Sequence, residues 1–570
     1  MPGFFITNCL PVVPTNFTDA SCVQERMEKD GYIVCRNTRN QFMLDKLFYC
    51  DKEIVVVLEG VILNRAELIE SYGVETFEDY SRIAIRENPN RFFKSFRGMF
   101  SGAVYFAEQK KWIVFADQIG NKAVFYYADK NGRFIVGSQL NYVTDAMRAN
   151  SLGRSLDPNG ARQLLSYGSF LDDSTCLSEV KRILPGDGIS FQAGVLDTFT
   201  YYRLPEREDC TISNQDAIEL LDRSFCAAMA RGMKKNREYG YTGVLDISGG
   251  ADSRMIAYTA QSMLSANEIM LHYSQIDSYE EKIAEAIASE LGYEFFFHAL
   301  DDARFLADID KLVAMNSGTG YYCGITGGER ALKQLSGTSL GIEFTGLLGD
   351  VYEGAMLTSQ GQVEPTLGYG RYRMTTEFKG EPISVNTLNR FSTNNAFWLF
   401  ARGMMCGMST FFTRQNYVEP FTPYGDIDFL EACMLIPWDK KVNDRLQLRW
   451  LEKCHPEAMA HCYAATGMKL SHEFRLSGPL LKKVNAARNL YAQKAKKYSR
   501  FNMNPFPLWE AKDWLRTFID NYYYENMQLL KSEHLIDEEL RQHLENIYKE
   551  GGMVKYNVLT FLSYCKQYIL

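Results

Sequence analysis

The sequence predicts an α+β sandwich followed by a doubly wound parallel α/β domain that runs into helices at its C-terminal end. Three observations predict this. Short apolar, partly β-branched runs crowd residues 1–205, with a tight-turn signal between two of them. From residue 241 onward, strand-like and helix-like patterns alternate, the pattern of right-handed crossovers in a parallel sheet. Between the halves lies Tyr202-Arg203-Leu204-Pro205-Glu206-Arg207-Glu208-Asp209, polar with one proline, which divides the chain into units 1–205 and 210–570.

In the first unit, residues 53–58 form an apolar strand pattern, and 66–72 and 79–87 are helical. Residues 99–106 and 112–116 are a further pair of strands. Residues 124–127 and 133–138 flank Asp129-Lys130-Asn131-Gly132, whose Asn-Gly pair marks a hairpin. In the second unit, Ser213 caps a helix with Asp216 three residues on, and Ile218, Leu221, Phe225 and Met229 follow at helical spacing. Residues 241–247 are an apolar strand. Gly249 and Gly250 allow a tight turn with bare N–H groups, and Asp252 and Ser253 open a helix over 255–264. Such a turn suits a phosphate, and equally an ordinary strand–helix connection. Strand 268–273 follows. Ser278 and Glu281 then cap a helix that buries Ile283, Ile287 and Leu291 and stops at Gly292, and 293–300 is a third strand. Residues 340–345 are another strand before a second Gly-rich turn.

Bulk properties exclude several classes. At 570 residues, with 46% hydrophobic and 23% charged residues, the chain has the composition of a soluble protein of roughly two to four domains. The net charge of −8 speaks against general nucleic-acid binding. No apolar run reaches membrane-span length, and Met1-Pro2-Gly3-Phe4 lacks a basic leader start, so the expected location is the cytoplasm with no membrane partner. The 13 cysteines are an odd number without a C-x-x-C pair, which predicts reduced thiols. Cys454, His455, His461 and Cys462 invite a metal. On a helix, though, positions seven apart are separated by about 10 Å, and zinc needs every ligand within about 2.3 Å. Lys482, Lys483, Arg488, Lys494, Lys496, Lys497 and Arg500 form a basic run, read as a solvated face or a dock for an acidic partner.

Ser248-Gly249-Gly250-Ala251-Asp252-Ser253 resembles the pyrophosphate-binding loop of ATP pyrophosphatases, and residues 245–254 as a whole resemble the asparagine synthetase branch. No Gly-Lys-Ser/Thr follows, so this is not a Walker loop. In the first unit, Phe96-Arg97-Gly98-Met99-Phe100-Ser101-Gly102-Ala103, residues 116–122, residues 136–140 and Ile183-Leu184-Pro185-Gly186-Asp187 together resemble the N-terminal glutaminase domain of that family. That resemblance implies an Ntn-hydrolase-like αββα sandwich. Residues 346–354 resemble the second phosphate-side loop and keep its acidic metal position as Asp350. Leu347 stands where asparagine synthetases have glutamate. Residues 417–426 resemble a further family segment, and Lys469 matches the position of an essential lysine.

The departures matter as much. The family's glutaminase nucleophile is a cysteine at the mature N-terminus. Here Pro2 follows Met1, and Cys9 is internal. Glu59 replaces the asparagine that helps form the oxyanion hole, and a carboxylate there repels a developing oxyanion. The first unit is therefore expected to be inactive as a glutaminase.

The resemblance implies ATP and Mg²⁺ as cofactors. The nucleotide would lie on Ser248, Gly249, Gly250, Asp252, Ser253 and Gly346, the metal on Asp252 and Asp350, with Lys469 catalytic. The implied enzyme is an AMP-forming carbon–nitrogen ligase that joins a carboxylate substrate to an amine through an acyl-adenylate. The amine is ammonia, belongs to a second molecule, or belongs to the same molecule as in the design of β-lactam synthetases and lasso-peptide cyclases, and the reaction is an intramolecular cyclisation or the amidation of a peptide, small molecule or sugar acid. A homodimer is compatible with the resemblance. The rival is a non-catalytic scaffold.

Overall fold

The structure is a computed structural model. It describes residues 2–9, 22–263, 268–324, 327–335, 339–354, 357–358, 361, 373–379, 383–442, 445–464, 466–470, 477–495 and 497–570.

The first unit holds two six-stranded antiparallel sheets. One has the order β10-β8-β9-β1-β3-β2, from β1 (Gly3–Thr7), β2 (Cys22–Lys29), β3 (Tyr32–Arg39), β8 (Phe125–Ala128), β9 (Phe134–Gly137) and β10 (Lys181–Arg182). The other has the order β12-β11-β7-β6-β5-β4, from β4 (Leu47–Cys50), β5 (Ile54–Ile62), β6 (Gly98–Phe106), β7 (Lys111–Ala116), β11 (Asp187–Gln192) and β12 (Val195–Thr200). The strand period of two assigns the layers. Val55 and Val57 of β5 meet Phe4 and Ile6 of β1 between the sheets. Ile54, Val56 and Leu58 face the other way, onto α1 (Arg65–Tyr72), α2 (Phe77–Glu87) and α3 (Pro89–Lys94). Phe5 faces α4 (Leu140–Ala149) and α5 (Pro158–Tyr167) on the outside of the first sheet. The result is the expected αββα sandwich. Gly132, at φ +79°, closes the β8–β9 hairpin, its N–H donating to Asp129 O at 3.0 Å.

The second unit holds a five-stranded sheet, β15-β14-β13-β16-β17, with every neighbouring pair parallel. It comprises β13 (Thr242–Asp246), β14 (Glu268–Ser274), β15 (Glu294–Ala299), β16 (Leu340–Phe344) and β17 (Glu419–Phe421). The crossovers are α7 (Ala251–Ser262) and α8 (Tyr279–Leu291), and α6 (Asn214–Tyr239) leads in. Ser213 and Ser278 cap α6 and α8 as expected, accepting the N–H groups of Asp216 and Glu281. Helix α7 begins four residues earlier than its apolar spacing predicts, because the turn itself supplies its first residues. Strand β17 was not expected. It has three residues, one of them proline, and pairs only at the sheet edge. The chain leaves β13 for β14 on one side, while β16 lies on the other. The carboxyl ends of β13 and β16 therefore flank the switch point, where open α/β sheets keep their crevice.

The helices Asp513–Ser532, Glu538–Glu550 and Gly552–Tyr564 do not close over the parallel sheet. Leu559 and Leu562 share one core with Leu164 and Leu165 of α5, and Asn557 donates to Leu165 O at 3.1 Å. The chain end thus packs on the helical layer of the first unit. No described helix is long and apolar enough to cross a membrane.

One turn locks the two sheet systems together. Fully buried Asp117 accepts the N–H groups of Ile119, Gly120, Asn121 and Lys122 at 2.8–3.1 Å. That turn hands Lys122 to Glu419 of β17 at 2.9 Å, and Asn121 O accepts from Gln415 at 2.6 Å. Asp117→Ala would leave four buried donors without an acceptor. It is expected to cost about 3 kcal/mol or more, read as a lower urea midpoint at unchanged slope. Asp117→Asn should lose less. A midpoint unmoved by Asp117→Ala would show that the turn is held by its surroundings alone.

Candidate functional site

The cleft at the switch point has a volume of about 210 Å³, and its walls include Ser248, Asp252, Ser253, Gly346 and Leu347. Strand β13 delivers the first loop. Ser248 Oγ and Ser253 Oγ lie 2.9 Å apart, the Ser248 N–H donates to Ser253 Oγ at 3.0 Å, and the Gly250 N–H donates to Ser248 Oγ at 3.2 Å. Two hydroxyls and the N-terminus of α7 thus converge on one spot, the arrangement that takes an anion. The Gly249 N–H is engaged by the carboxylate of Glu280. Burial raises the Glu280 carboxyl above its usual range, against the pull of this N–H and of Arg254. A side chain at 249 would force its neighbours to move. Its Cβ would lie 2.6 Å from that of Ala464 and 2.9 Å from Glu280 Oε2.

Strand β16 delivers the second loop. The Asp350 N–H donates to Asp252 Oδ2 at 3.2 Å, and Gln447 donates to Asp252 Oδ1. The backbone of the second loop therefore reaches the Asp252 carboxylate beside the anion site. Desolvation raises the Asp350 carboxyl, opposed by Arg402. Mg²⁺ characteristically uses one or two carboxylates plus phosphate oxygens, so Asp252 and Asp350 fit that ion. Among the described residues no three His, Cys, Asp or Glu side chains gather as a metal cluster.

The floor of the cleft holds residues that the sequence pattern did not single out. Arg414 donates to Asp246 Oδ2 at 2.7 Å, to Glu343 Oε2 at 2.7 Å and to Tyr273 Oη at 3.1 Å. Burial raises the Asp246 carboxyl well above its usual range, against Arg414 and with a further push from Glu343. The available signal was an acid inside each of two apolar strands, Val244-Leu245-Asp246-Ile247 and Gly341-Ile342-Glu343-Phe344, since a buried charge demands a partner. Beside them, burial lowers the His272 imidazole to about 4, so it is neutral. Its ring nitrogens pair with Ile247 O at 2.7 Å and Ser274 Oγ at 3.1 Å.

Lys469 sits in a turn next to the first loop. Cys462 and Lys469 form a β-bridge, and Arg254 of α7 donates to His461 O, Cys462 O and Gly249 O. The Lys469 side chain is exposed and is not among the residues lining the cleft, so its turn is adjacent but its ammonium is outside. Ser471, two residues further on, lies outside the described residues. His455 pairs with Thr259 at 3.1 Å and His461 with Glu290 at 2.7 Å, each away from the other. In the basic run, Lys483, Arg488, Lys494, Lys497 and Arg500 are exposed, whereas the placement of Lys496 and of the Lys482 side chain lies outside the description.

In the first unit, Cys9 is buried past the end of β1, and burial raises its thiol. Glu59 is 4% exposed. It accepts from Thr38 Oγ1 at 2.7 Å and lies 3.6 Å from Arg36 and 4.0 Å from Lys46. A buried ion cluster therefore fills the position that the sequence compares with an oxyanion hole.

A family model described as a glutamine amidotransferase domain matches residues 33–145. No curated protein sequence matches the chain. Among solved structures, the chain is similar to the allosteric regulatory enzyme of purine biosynthesis at 9% identity, with a TM-score of 0.24, over 52% of this chain and 74% of that one. It is also similar to the glutamine phosphoribosylpyrophosphate amidotransferase from B. subtilis, complexed with ADP and GMP, at 10% identity and a TM-score of 0.23, over 47% and 67%. At such scores neither structure bears on the chemistry of this chain. Residues 33–145, within the αββα sandwich, are those of a glutamine amidotransferase-type domain.

Proposed function

We propose that the protein is an AMP- and pyrophosphate-forming carbon–nitrogen ligase, with synthesis in residues 210–570 and a glutaminase-like but inactive unit in residues 1–205. The observation that carries this is the meeting of two strand-end loops, Asp350 N–H on Asp252, beside the paired hydroxyls of Ser248 and Ser253. The glutamine amidotransferase-type domain supports amide chemistry in general.

In this mechanism Ser248, Gly249, Gly250, Ser253 and Gly346 hold the pyrophosphate side of ATP. Glu280 leaves the Gly249 N–H as phosphate arrives, an exchange of one anion for another on the same donor. Asp252 and Asp350 would hold Mg²⁺, which would supply neutralisation of phosphate charge. A carboxylate oxygen of the substrate attacks the α-phosphorus, the bond to the bridging oxygen breaks, and pyrophosphate leaves. An amine then attacks the acyl carbon, AMP leaves with the carboxylate oxygen, and the nitrogen loses a proton. The exposed turn of Lys469 closes over the loop and brings its cation to the phosphates, which also keeps water from the acyl-adenylate. The amine does not come from glutamine, because Cys9 is buried and Glu59 is tied into its ion cluster.

Pyrophosphate release across pools of carboxylates, with and without amines, tests the proposal. AMP and pyrophosphate should appear together, and ADP would refute it. Asp252→Asn and Asp350→Asn should each cut turnover by roughly 10²-fold or more with the melting profile kept. Full activity in either removes its metal role. Lys469→Ala should leave ATP binding within a few-fold and slow turnover by roughly 10²-fold, with partial recovery in Lys469→Arg. An unaffected rate would place the essential cation elsewhere. Finally, incubation with glutamine should release no glutamate above background. Release that Cys9→Ala abolishes would mean the first unit is active.

A further inference from the structure

A second cavity, about 260 Å³ in volume, opens on the flank of the Asp350 loop. One wall is the π-helical stretch Leu399–Gly407, a departure from the α-helix that recurs at functional sites. Its two faces do different things. Gly403 and Gly407 press on the second loop. A Cβ on either would lie 3.1 Å from the Tyr352 ring or 3.2 Å from Leu348, so a larger residue would push that neighbour back. Arg402 and Cys406, with Trp398 just before the stretch, line the cavity instead. Arg402 donates to Cys406 Sγ at 2.8 Å, which orients the guanidinium, and its charge acts on the Asp350 carboxyl.

The other walls are held firmly. The Tyr321 N–H donates to Gly168 O at 2.8 Å, Ser169 bridges to Gly320, and the Met374 N–H donates to Ser166 O at 2.7 Å. Tyr167 and Tyr321 face the cavity beside Trp398, and Arg373 adds a second cation to the lining. Ser169 Oγ lines it too. That hydroxyl is buried, its residue 1% exposed, with no hydrogen-bond partner among the described residues. A buried hydroxyl without a partner calls for an absent one. Three aromatic rings, two guanidinium groups and one spare hydroxyl share a space sized for a small molecule.

We infer that this cavity binds the carboxylate substrate, a small carboxylic acid with a flat apolar body. Arg402 takes the carboxylate, Ser169 Oγ donates to a ligand oxygen, and the rings of Tyr167, Tyr321 and Trp398 hold the body. Electrostatics favours this placement. The cleft next door is lined by Asp246 and Asp252, which repel an approaching anion. Arg402 lines the second cavity, and its charge opposes that of Asp350. Bidentate recognition of a carboxylate also suits a guanidinium held in one plane. The inference identifies the substrate class of the proposed ligase and rests on that proposal for the word substrate. The binding itself does not require ATP.

The test is binding of 3-phenylpropionate to the full chain without nucleotide, followed by calorimetry and ligand-observed NMR, with 3-phenylpropionamide as the uncharged twin. The acid should bind saturably, and the amide roughly tenfold or more weakly. Arg402→Gln should weaken the acid to the level of the amide, Arg402→Lys should fall between, and Trp398→Ala should weaken both ligands. Asp252→Asn should not weaken acid binding, while it cuts pyrophosphate release by roughly 10²-fold or more. No saturable binding of the acid, equal binding of acid and amide, or acid binding unmoved by Arg402→Gln overturns the inference. The two proposals separate cleanly. Arg402-dependent binding without pyrophosphate release from any carboxylate defeats the ligase alone. Pyrophosphate release with Arg402-independent binding defeats this site alone.

Discussion

The cleft depends on a single buried guanidinium. Asp246 and Glu343 stand on the two strands that meet at the switch point, where an unpaired buried carboxylate is costly. Arg414 supplies the pairing cation, reaching each carboxylate at 2.7 Å and the Tyr273 hydroxyl at 3.1 Å. Three charges in one dry place cost desolvation, and only close pairing offsets it. The payoff is geometric. With the strand ends held, both loops leave the sheet at set positions, and the Asp350 N–H reaches Asp252. The segment 399–414 that ends in Arg414 also carries Arg402, so the floor of one cavity and the wall of the other belong to one continuous stretch of chain.

The first unit serves as a platform. It contains a glutamine amidotransferase-type domain, and within it Glu59 is buried in an ion cluster with Arg36 and Lys46. Its outer surfaces carry the rest of the molecule. Asp45 pairs with Lys235 of α6 at 3.0 Å, Arg97 with Asp428 at 3.0 Å, and the Asp117 turn presents Lys122 to β17. The C-terminal helices cover α4 and α5.

The sequence by itself determined whatever repeats with a local period. The αββα layers follow from alternation in strands such as β5. The parallel sheet follows from strand–helix–strand spacing, and the caps at Ser213 and Ser278 from residues three apart. The Ser248–Ser253 loop was legible because a strand, two glycines and a helix start are contiguous in the chain. Tertiary structure decided everything that joins distant segments. Glu280 on the Gly249 N–H spans 31 residues and Arg414 on Asp246 spans 168. Strand β17 is too short and too proline-interrupted to carry a periodic signal, and exists because β16 offers it an edge. The second cavity draws walls from residues 167–171, 321, 373–374 and 398–406. No spacing rule links such segments, since their contact is a product of how the two units pack. Local pattern reports what a residue does to its neighbours in sequence, and a site made of four separated stretches has none.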